Sequence, residues 1–380
     1  MKHILVFSTA YFPLVGGAEV AMKEITDRIT DIRFDLVCAK IRPGLPSIEH
    51  IGNITVHRAG FGHPVDKLLL PIFGTFRALR LEKPDAVWSL MASFGGFASL
   101  TYAWLRPSTK LLLTLQEGDP LEHYDRRTGL LGFLHRMIFR RADAVTAISH
   151  FLAHWSKKMG FGGMPEVVPN GVDIKRFADS GAQAGRMEVR TQYGFADSDV
   201  VLITASRLSH KNGVDDLIRA LTHLPLSYKT LIAGEGEDAQ KLKALVAEHH
   251  LEQRVIFAGS ISRRDLPAAL TAGDIFVRAS RSEGLGIAFL EAMAVGLPVI
   301  GTPVGGIPDF LIDGETGVFC QPNDPASIAT AAERIISDPA LRAHLIRNGE
   351  RLVREQHDWD GIAARMREIL RYLVALVPRS

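Results

Sequence analysis

Cysteine is almost missing from this chain: Cys38 and Cys320 are the only two among 380 residues. Two thiols so distant in sequence build no metal site by themselves and read as small core residues in a reducing cytosol. Excess charge is missing too. The formal net charge is +2 with 23% charged residues, whereas a nucleic-acid binder concentrates a larger basic surplus on one face, so nucleic acid is not expected as a partner. No long apolar run has the character of a membrane span. Ala86–Leu105 is uncharged and has about the right length, but Ser89, Ser93, Gly95, Gly96, Ser99 and Thr101 interrupt it. It reads instead as a strand, a Ser/Gly turn and a short helix. The N-terminal apolar stretch Ile4–Phe7 is too short for a signal-peptide core, so a cytoplasmic location is expected. There is no G-x-G-x-x-G after the first strand, which disfavours a dehydrogenase. No nucleophilic Ser or Cys carries a local signature, and no His/Cys cluster suggests a metal.

What is present is alternation. Short apolar runs such as HILVFS, RFDLVCA, NITVHRA, DAVWSLM and KLLLTLQ are separated by helical spacing, the pattern of a parallel sheet covered on both faces. The pattern restarts after Pro169–Gly171 with DVVLITASR, YKTLIAGEG, RVIFAGS, DIFVRAS and PVIGT. A length of 380 residues and this restart give an α/β chain of two doubly wound domains, residues 1–170 and 171–358, with the small polar stretch Asp179–Gly185 as a linker. Open parallel sheets bind ligands at the carboxyl ends of their strands, so two facing sheets would enclose one cleft.

Three segments carry candidate chemistry. In Arg281–Asp309, Glu283 precedes the turn Gly284–Leu285–Gly286, and Glu291 is almost the sole polar group of the helix that follows. A helix apolar all round is a buried helix. A buried carboxylate is costly unless donors satisfy it, and the hydroxyls of a bound sugar are suitable donors. Free N–H groups at the helix start suit phosphates. The bland alternative is an internal bond from Glu291 to backbone or to an arginine, with Glu283 a solvated loop residue. In the second segment Arg207 and Lys211 follow the first strand of the second half, where a cation pair can reach a diphosphate; a solvated basic loop is equally consistent. In the third, Gly16 and Gly17 let backbone approach a ligand closely, although tight turns use such pairs everywhere. Asp197–Ser198–Asp199 looks like a DxD metal signature but reads as a polar turn, Asp358–Trp359–Asp360 as a helix-capping corner, and His123 as a structural histidine. No metal is expected.

Together these residues resemble retaining glycosyltransferase family 4, whose fold is GT-B. The likeness runs through GGAE at Gly16–Glu19, ADAVTAIS at Ala142–Ser149, VPNGVD at Val168–Asp173, SRL at Ser206–Leu208 and AGEG at Ala233–Gly236. It continues through IFAGS at Ile256–Ser260, EGLGIAFLEAMAVGLPVI at Glu283–Ile300 and GGIPD at Gly305–Asp309. The resemblance implies two Rossmann-like domains facing a central cleft and a C-terminal helix, 359–380, crossing back to the first. It implies that Glu283 contacts a donor hexose, Glu291 the ribose hydroxyls, and Arg207 with a nearby cation the diphosphate. Gly16 and Gly17 would face that diphosphate, and Gly234 and Ser260 would border the base. The family pattern R-x4-K-G is broken here, because Asn212 stands where the lysine falls and Lys211 one place earlier. Gln116, followed by Glu117, replaces a histidine common in the first domain, and Asp309 replaces a commoner glutamate.

The expected activity is transfer of a hexose from a UDP- or GDP-sugar, with retention and without metal or other cofactor, to a glycan, lipid-linked or small-molecule acceptor, as in polysaccharide biosynthesis. A GT-B nucleotide-sugar epimerase and a non-catalytic nucleotide-sugar-binding protein are the alternatives. Phe61–Arg80 mixes an apolar run with Lys67, Arg77 and Arg80. It reads first as a core helix with solvated charges, and alternatively as peripheral contact with the inner face of a membrane.

Overall fold

The computed structural model describes residues 1–14, 16–120, 132–179 and 183–376. The chain divides into two compact units, Met1–Asn170 with Trp359–Ser380, and Gly171–Asp358.

In the first unit, strands β1 (Lys2–Phe7), β2 (Ile32–Ala39), β3 (Ile48–Ile51), β4 (Ile54–Ala59), β5 (Ala86–Leu90), β6 (Lys110–Leu115), β7 (Ala144–Ala147) and β8 (Glu166–Val167) form one sheet. Their order is β3-β4-β2-β1-β5-β6-β7-β8. Among the described residues of this sheet only the β3–β4 pair is antiparallel. Helices α1 (Gly17–Arg28), α2 (Asp66–Leu79), α3 (Phe94–Leu105), α4 (Gly132–Arg141) and α5 (His150–Lys158) connect them. Side chains of β1 alternate between two cores, as the two-residue period of a strand requires. Ile4 and Val6 join Ala21, Met22 and Ile25 of α1. Leu5 and Phe7 join Leu70 and Ala78 of α2 and Ala98 and Tyr102 of α3. The uncharged run Ala86–Leu105 is β5 and α3, joined by a Ser/Gly turn as its composition suggests. A Cβ on Gly95 would lie 3.0 Å from the Ser8 backbone, so the start of α3 presses against the end of β1.

The C-terminal helix, Trp359–Ala375, belongs to this first unit. It buries Trp359, Ile362, Met366, Ile369, Leu370 and Leu373 in the α1-side core, a spacing of three and four that makes one apolar stripe. Each such side chain contributes about 1.5–3 kcal/mol. The ion pairs Arg28–Asp360 at 2.7 Å and Arg371–Asp31 at 2.6 Å are largely solvated and add little.

The second unit has helices α6 (Ile174–Asp179), α7 (Gln183–Gln192), α8 (Val214–Ala220), α9 (Ala239–Glu248), α10 (Leu266–Thr271), α11 (Ile287–Ala294), α12 (Pro325–Ser337) and α13 (Pro339–Gln356). Its strands are β9 (Val200–Ala205), β10 (Tyr228–Ala233), β11 (Val255–Gly259), β12 (Ile275–Arg278), β13 (Val299–Gly301) and β14 (Val318–Phe319), in the order β11-β10-β9-β12-β13-β14 and all parallel. The stretch expected to be a linker is shorter than its composition suggests, since α7 begins at Gln183. Arg186 and Arg190 anchor that helix to Asp274, at 2.7 and 2.9 Å, and Asp274 also accepts the Val201 N–H.

Candidate functional site

The second sheet starts at β9, grows outward through β10 and β11, and then returns to β12 on the opposite side of β9. The order therefore reverses between β9 and β12, and the crevice outside the carboxyl ends at such a reversal is where open parallel sheets take ligands. The loops at this edge are locked together backbone to backbone. A Cβ on Gly213 would fall 1.9 Å from the Ala279 carbonyl oxygen, and one on Gly234 1.9 Å from that of Ser206. Gly234 N–H donates to Gly259 O at 2.7 Å, which brings Gly234 beside the Gly259–Ser260 loop end. Gly306 N–H donates to Glu283 O at 3.2 Å. Glycine here permits close approach, and close approach aligns the loops that carry the charged side chains.

Arg207 projects from the loop after β9, with its side chain 74% exposed and paired with Glu237 at 3.2 Å. Lys211 and Asn212 lie in a single 3-10 turn, His210–Asn212. Asn212 is buried, and its amide is committed internally. The Nδ2 donates to Arg207 O at 2.6 Å and to Ser209 Oγ at 3.3 Å, while Oδ1 accepts from Arg278 Nη2 at 2.9 Å. Arg278, the last residue of β12, also lies 2.7 Å from Glu283 Oε2, with both side chains largely buried. Sequence reasoning passed over Arg278; the signal for it was a lone charge closing an apolar strand. The other Glu283 oxygen accepts the Gly284 N–H at 3.2 Å. Leu285 is buried, and Gly286 starts α11 in the left-handed region at φ 101°. Arg281 is occupied elsewhere, bonded to Asp215 and Asp216 at 2.8 and 2.7 Å, and so anchors the loop to α8.

Glu291 sits in the second turn of α11. Burial pushes its carboxyl up to about 7, against the pull of Arg263, Arg176 and Arg278. The native state then holds the proton between pH 4.5 and about 7, where the unfolded chain has released it, so this group lowers stability as pH rises through that window. Glu291→Gln is expected to be more stable than the parent at pH 8, with the gain shrinking towards pH 4.5, as read by urea titration at several pH values. A pH-independent difference would show that burial is not the cause. A residue that costs the folded protein stability is a candidate for function.

Gly16 and Gly17 lie in the first unit, at the start of α1, where Gly16 N–H already donates to Glu19 Oε2 at 2.7 Å. Burial raises the Glu19 carboxyl. Gln116 Oε1 accepts from Asn170 Nδ2 at 3.0 Å. Glu117 is fully buried, takes the Ala92 and Gln116 N–H groups at 2.7 and 2.8 Å, and is pushed by burial up to about 7. Asp199 accepts the Ala196 N–H and pairs with Lys229, both at 2.7 Å, a closed polar turn. Trp359 is buried at the start of the C-terminal helix, and Asp309 ends the short turn Ile307–Asp309. His123 lies outside the described residues.

Residues 15–176 match the Glycosyltransferase Family 4 model and residues 185–352 that of Glycosyl transferases group 1. A GDP-mannose-dependent alpha-(1-6)-phosphatidylinositol monomannoside mannosyltransferase of Mycobacterium tuberculosis is 30% identical over 391 residues, 98% of each chain. The Mycolicibacterium smegmatis protein of the same description is 32% identical over 246 residues, which is 62% of this chain and 64% of that one, a little under two thirds of the relative's length. Among solved structures, Anabaena Alr3699/HepE in complex with UDP and glucose superposes with a TM-score of 0.83 at 20% identity, covering 98% of this chain and 100% of that one. Two parallel-sheet units, a C-terminal helix returned to the first and full-length relatives together establish a GT-B glycosyltransferase, and the chain belongs to the glycosyl transferases group 1, the family 4 glycosyltransferases.

Proposed function

We propose that this protein is a retaining hexosyltransferase. It moves a hexose from a UDP- or GDP-linked donor to a hydroxyl of a glycan, lipid-linked or small-molecule acceptor, without metal or other cofactor, at the cytoplasmic face of a membrane and in polysaccharide biosynthesis. The observation that carries this reading is the gathering of Arg207, Arg278, Glu283 and Glu291 around the β9/β12 reversal. The bond between the anomeric carbon and the diphosphate oxygen breaks, and the acceptor oxygen bonds that carbon on the same face. The acceptor proton passes to the leaving phosphate. Arg207 and a second cation offset the charge that grows on the diphosphate. Glu283 holds the hexose and Glu291 the ribose hydroxyls, whose O–H groups supply the donors a partly buried carboxylate needs. Gly284, Leu285 and Gly286 turn the chain so that backbone N–H groups at the start of α11 face phosphate. Gly234 and Ser260 border the base. Relatives named for GDP-mannose and a neighbour that holds UDP keep both bases in play.

A thermal-shift panel of UDP- and GDP-sugars tests the donor, since a ligand at 100 times its Kd stabilises by about 2.7 kcal/mol. The hit is then incubated with and without candidate acceptors in EDTA. Acceptor-dependent release of nucleoside diphosphate supports the transferase. An epimerised sugar released without acceptor, or binding with no turnover, points to the epimerase or the binding protein.

The acceptor side is assigned to the outer face of α2. Its inner face buries Leu70, Gly74, Thr75 and Ala78, but Leu68, Ile72 and Phe76 are more than half exposed, and so is nearby Phe61. Exposed apolar side chains in one patch mark a binding surface. Beside them Phe73, Phe76, Arg77 and Arg80 line an open groove of about 590 Å³. This pattern suits an anionic lipid surface or lipid-linked acceptor. No helix among the described residues is long and apolar enough to cross a membrane. The parent protein should float with anionic vesicles, and a Leu68→Ser/Ile72→Ser/Phe76→Ser variant should stay in the soluble fraction. Equal flotation of the two would remove α2 from the acceptor side.

A further inference from the structure

Resting on the transferase reading above, we infer that Arg278 supplies the second cation for the donor diphosphate. It replaces in space the lysine that Asn212 replaces in sequence, and Asn212 is the positioning residue that holds it.

Lys211 and Arg278 are the two cations to compare. Residues in a 3-10 turn project about 120° apart. Asn212 is the member of His210–Asn212 that is buried and bonded to Arg278, whereas Lys211 is half-buried. Arg278 ends β12, the strand paired directly with β9 through Ile275–Leu202 and Phe276–Ile203. Adjacent strands run about 4.8 Å apart, so Arg278 and the Arg207 loop flank the crevice at which the strand order reverses. One amide ties them together. Asn212 Nδ2 binds the Arg207 carbonyl at 2.6 Å and its Oδ1 binds Arg278 Nη2 at 2.9 Å. A lysine at 212 could not make this pair of bonds, because an ammonium only donates. It would also set a like charge against the guanidinium.

The donor capacity of Arg278 is not used up within the protein. Nη2 donates to Asn212 and lies in an ion pair with Glu283, while Nε, like Glu283 Oε2, is buried with no hydrogen-bond partner among the described residues. A buried, unpartnered N–H on a cation calls for an acceptor. At this edge of the sheet a diphosphate oxygen fits, since a guanidinium fork matches phosphate. The ion pair to Glu283, the proposed hexose contact, then places the cation between the sugar-binding carboxylate and the phosphates.

Affinities for UDP, UMP, GDP and GMP, measured by calorimetry on the full chain, test this. Arg278→Gln, which keeps a neutral donor towards Asn212, should lose tenfold or more in nucleoside diphosphate affinity while monophosphate binding changes less than threefold. Lys211→Gln should change neither by more than threefold. The exchange variant Asn212→Lys/Arg278→Leu, with the cation back at 212, should recover diphosphate affinity to within about threefold of the parent. Thermal midpoints identify any variant that fails to fold, and the exchange variant serves if Arg278→Gln does. Parent-like diphosphate affinity in folded Arg278→Gln, a greater loss in Lys211→Gln, or no recovery in a folded exchange variant each overturns the inference. So does lost transfer with unchanged diphosphate affinity, which would leave Arg278 only a support for Glu283. A parent protein that binds neither diphosphate sinks the transferase reading itself.

Discussion

Arg207→Ala should lower transfer by on the order of 10²–10³-fold with no measurable loss of fold stability. The two halves of that expectation have separate grounds. Structurally the side chain does little: it is 74% exposed and, among the described residues, pairs with Glu237, itself 58% exposed. Surface pairs of that kind are worth about 0–1 kcal/mol. The loop is held instead through its backbone, by Asn212 Nδ2 on Arg207 O and by Leu208 N–H on Glu235 O at 2.9 Å. Chemically, a preorganised cation beside a leaving diphosphate acts where charge grows, so its loss falls on turnover more than on donor affinity. Steady-state kinetics with the donor found by thermal shift, alongside a melting curve, check both halves. Near-full turnover in a folded variant would remove Arg207 from the chemistry. A large drop in melting temperature would show instead that the Glu237 pair is structural.

Much of the fold was legible because buried parallel strands are short apolar runs, and the helices between them cannot be mistaken for strands at that spacing. The elements missed are those whose pattern comes from the edge of a sheet. IEHI of β3 alternates half-buried and exposed residues on an antiparallel margin, and β14 has only two residues. The polar composition of Asp179–Gly185 suggested a longer connection, but α7 claims Gln183 onward because Arg186 and Arg190 have a buried partner in Asp274, 88 and 84 residues away and invisible to local reading. α2 was expected to turn its charges outward, and its outer face is apolar as well. In the candidate site, the acidic pair and the glycine turn sit close in sequence and so stand out in it. The departure at Asn212 was visible, but its meaning depended on Arg278, sixty-six residues on.

Gly305→Ala is expected to damage the site from behind, without touching any ligand. Gly305 has φ 57°, and a Cβ there would stand 1.8 Å from the Glu283 carbonyl oxygen. Backbone cannot swing aside like the end of a lysine, so the Glu283 loop must shift by about 1.6 Å to reach an ordinary separation, and a displacement of even about 1 Å costs around 10² in rate when it misplaces a substrate-holding group. The left-handed conformation adds its own strain of about 1–3 kcal/mol for any non-glycine residue. Gly194→Ala separates the two effects. Its φ is 71°, also left-handed, but nothing lies within 4 Å of the added carbon, so it carries strain without collision. The expected order is therefore a modest stability loss with full transfer in Gly194→Ala, against a larger stability loss and about 10²-fold slower transfer in Gly305→Ala, read by urea melts and donor turnover. Equal stability losses in the two variants would mean that the Glu283 loop gives way freely. The backbone lock between residues 283 and 305 would then not be what aligns the carboxylate with a donor.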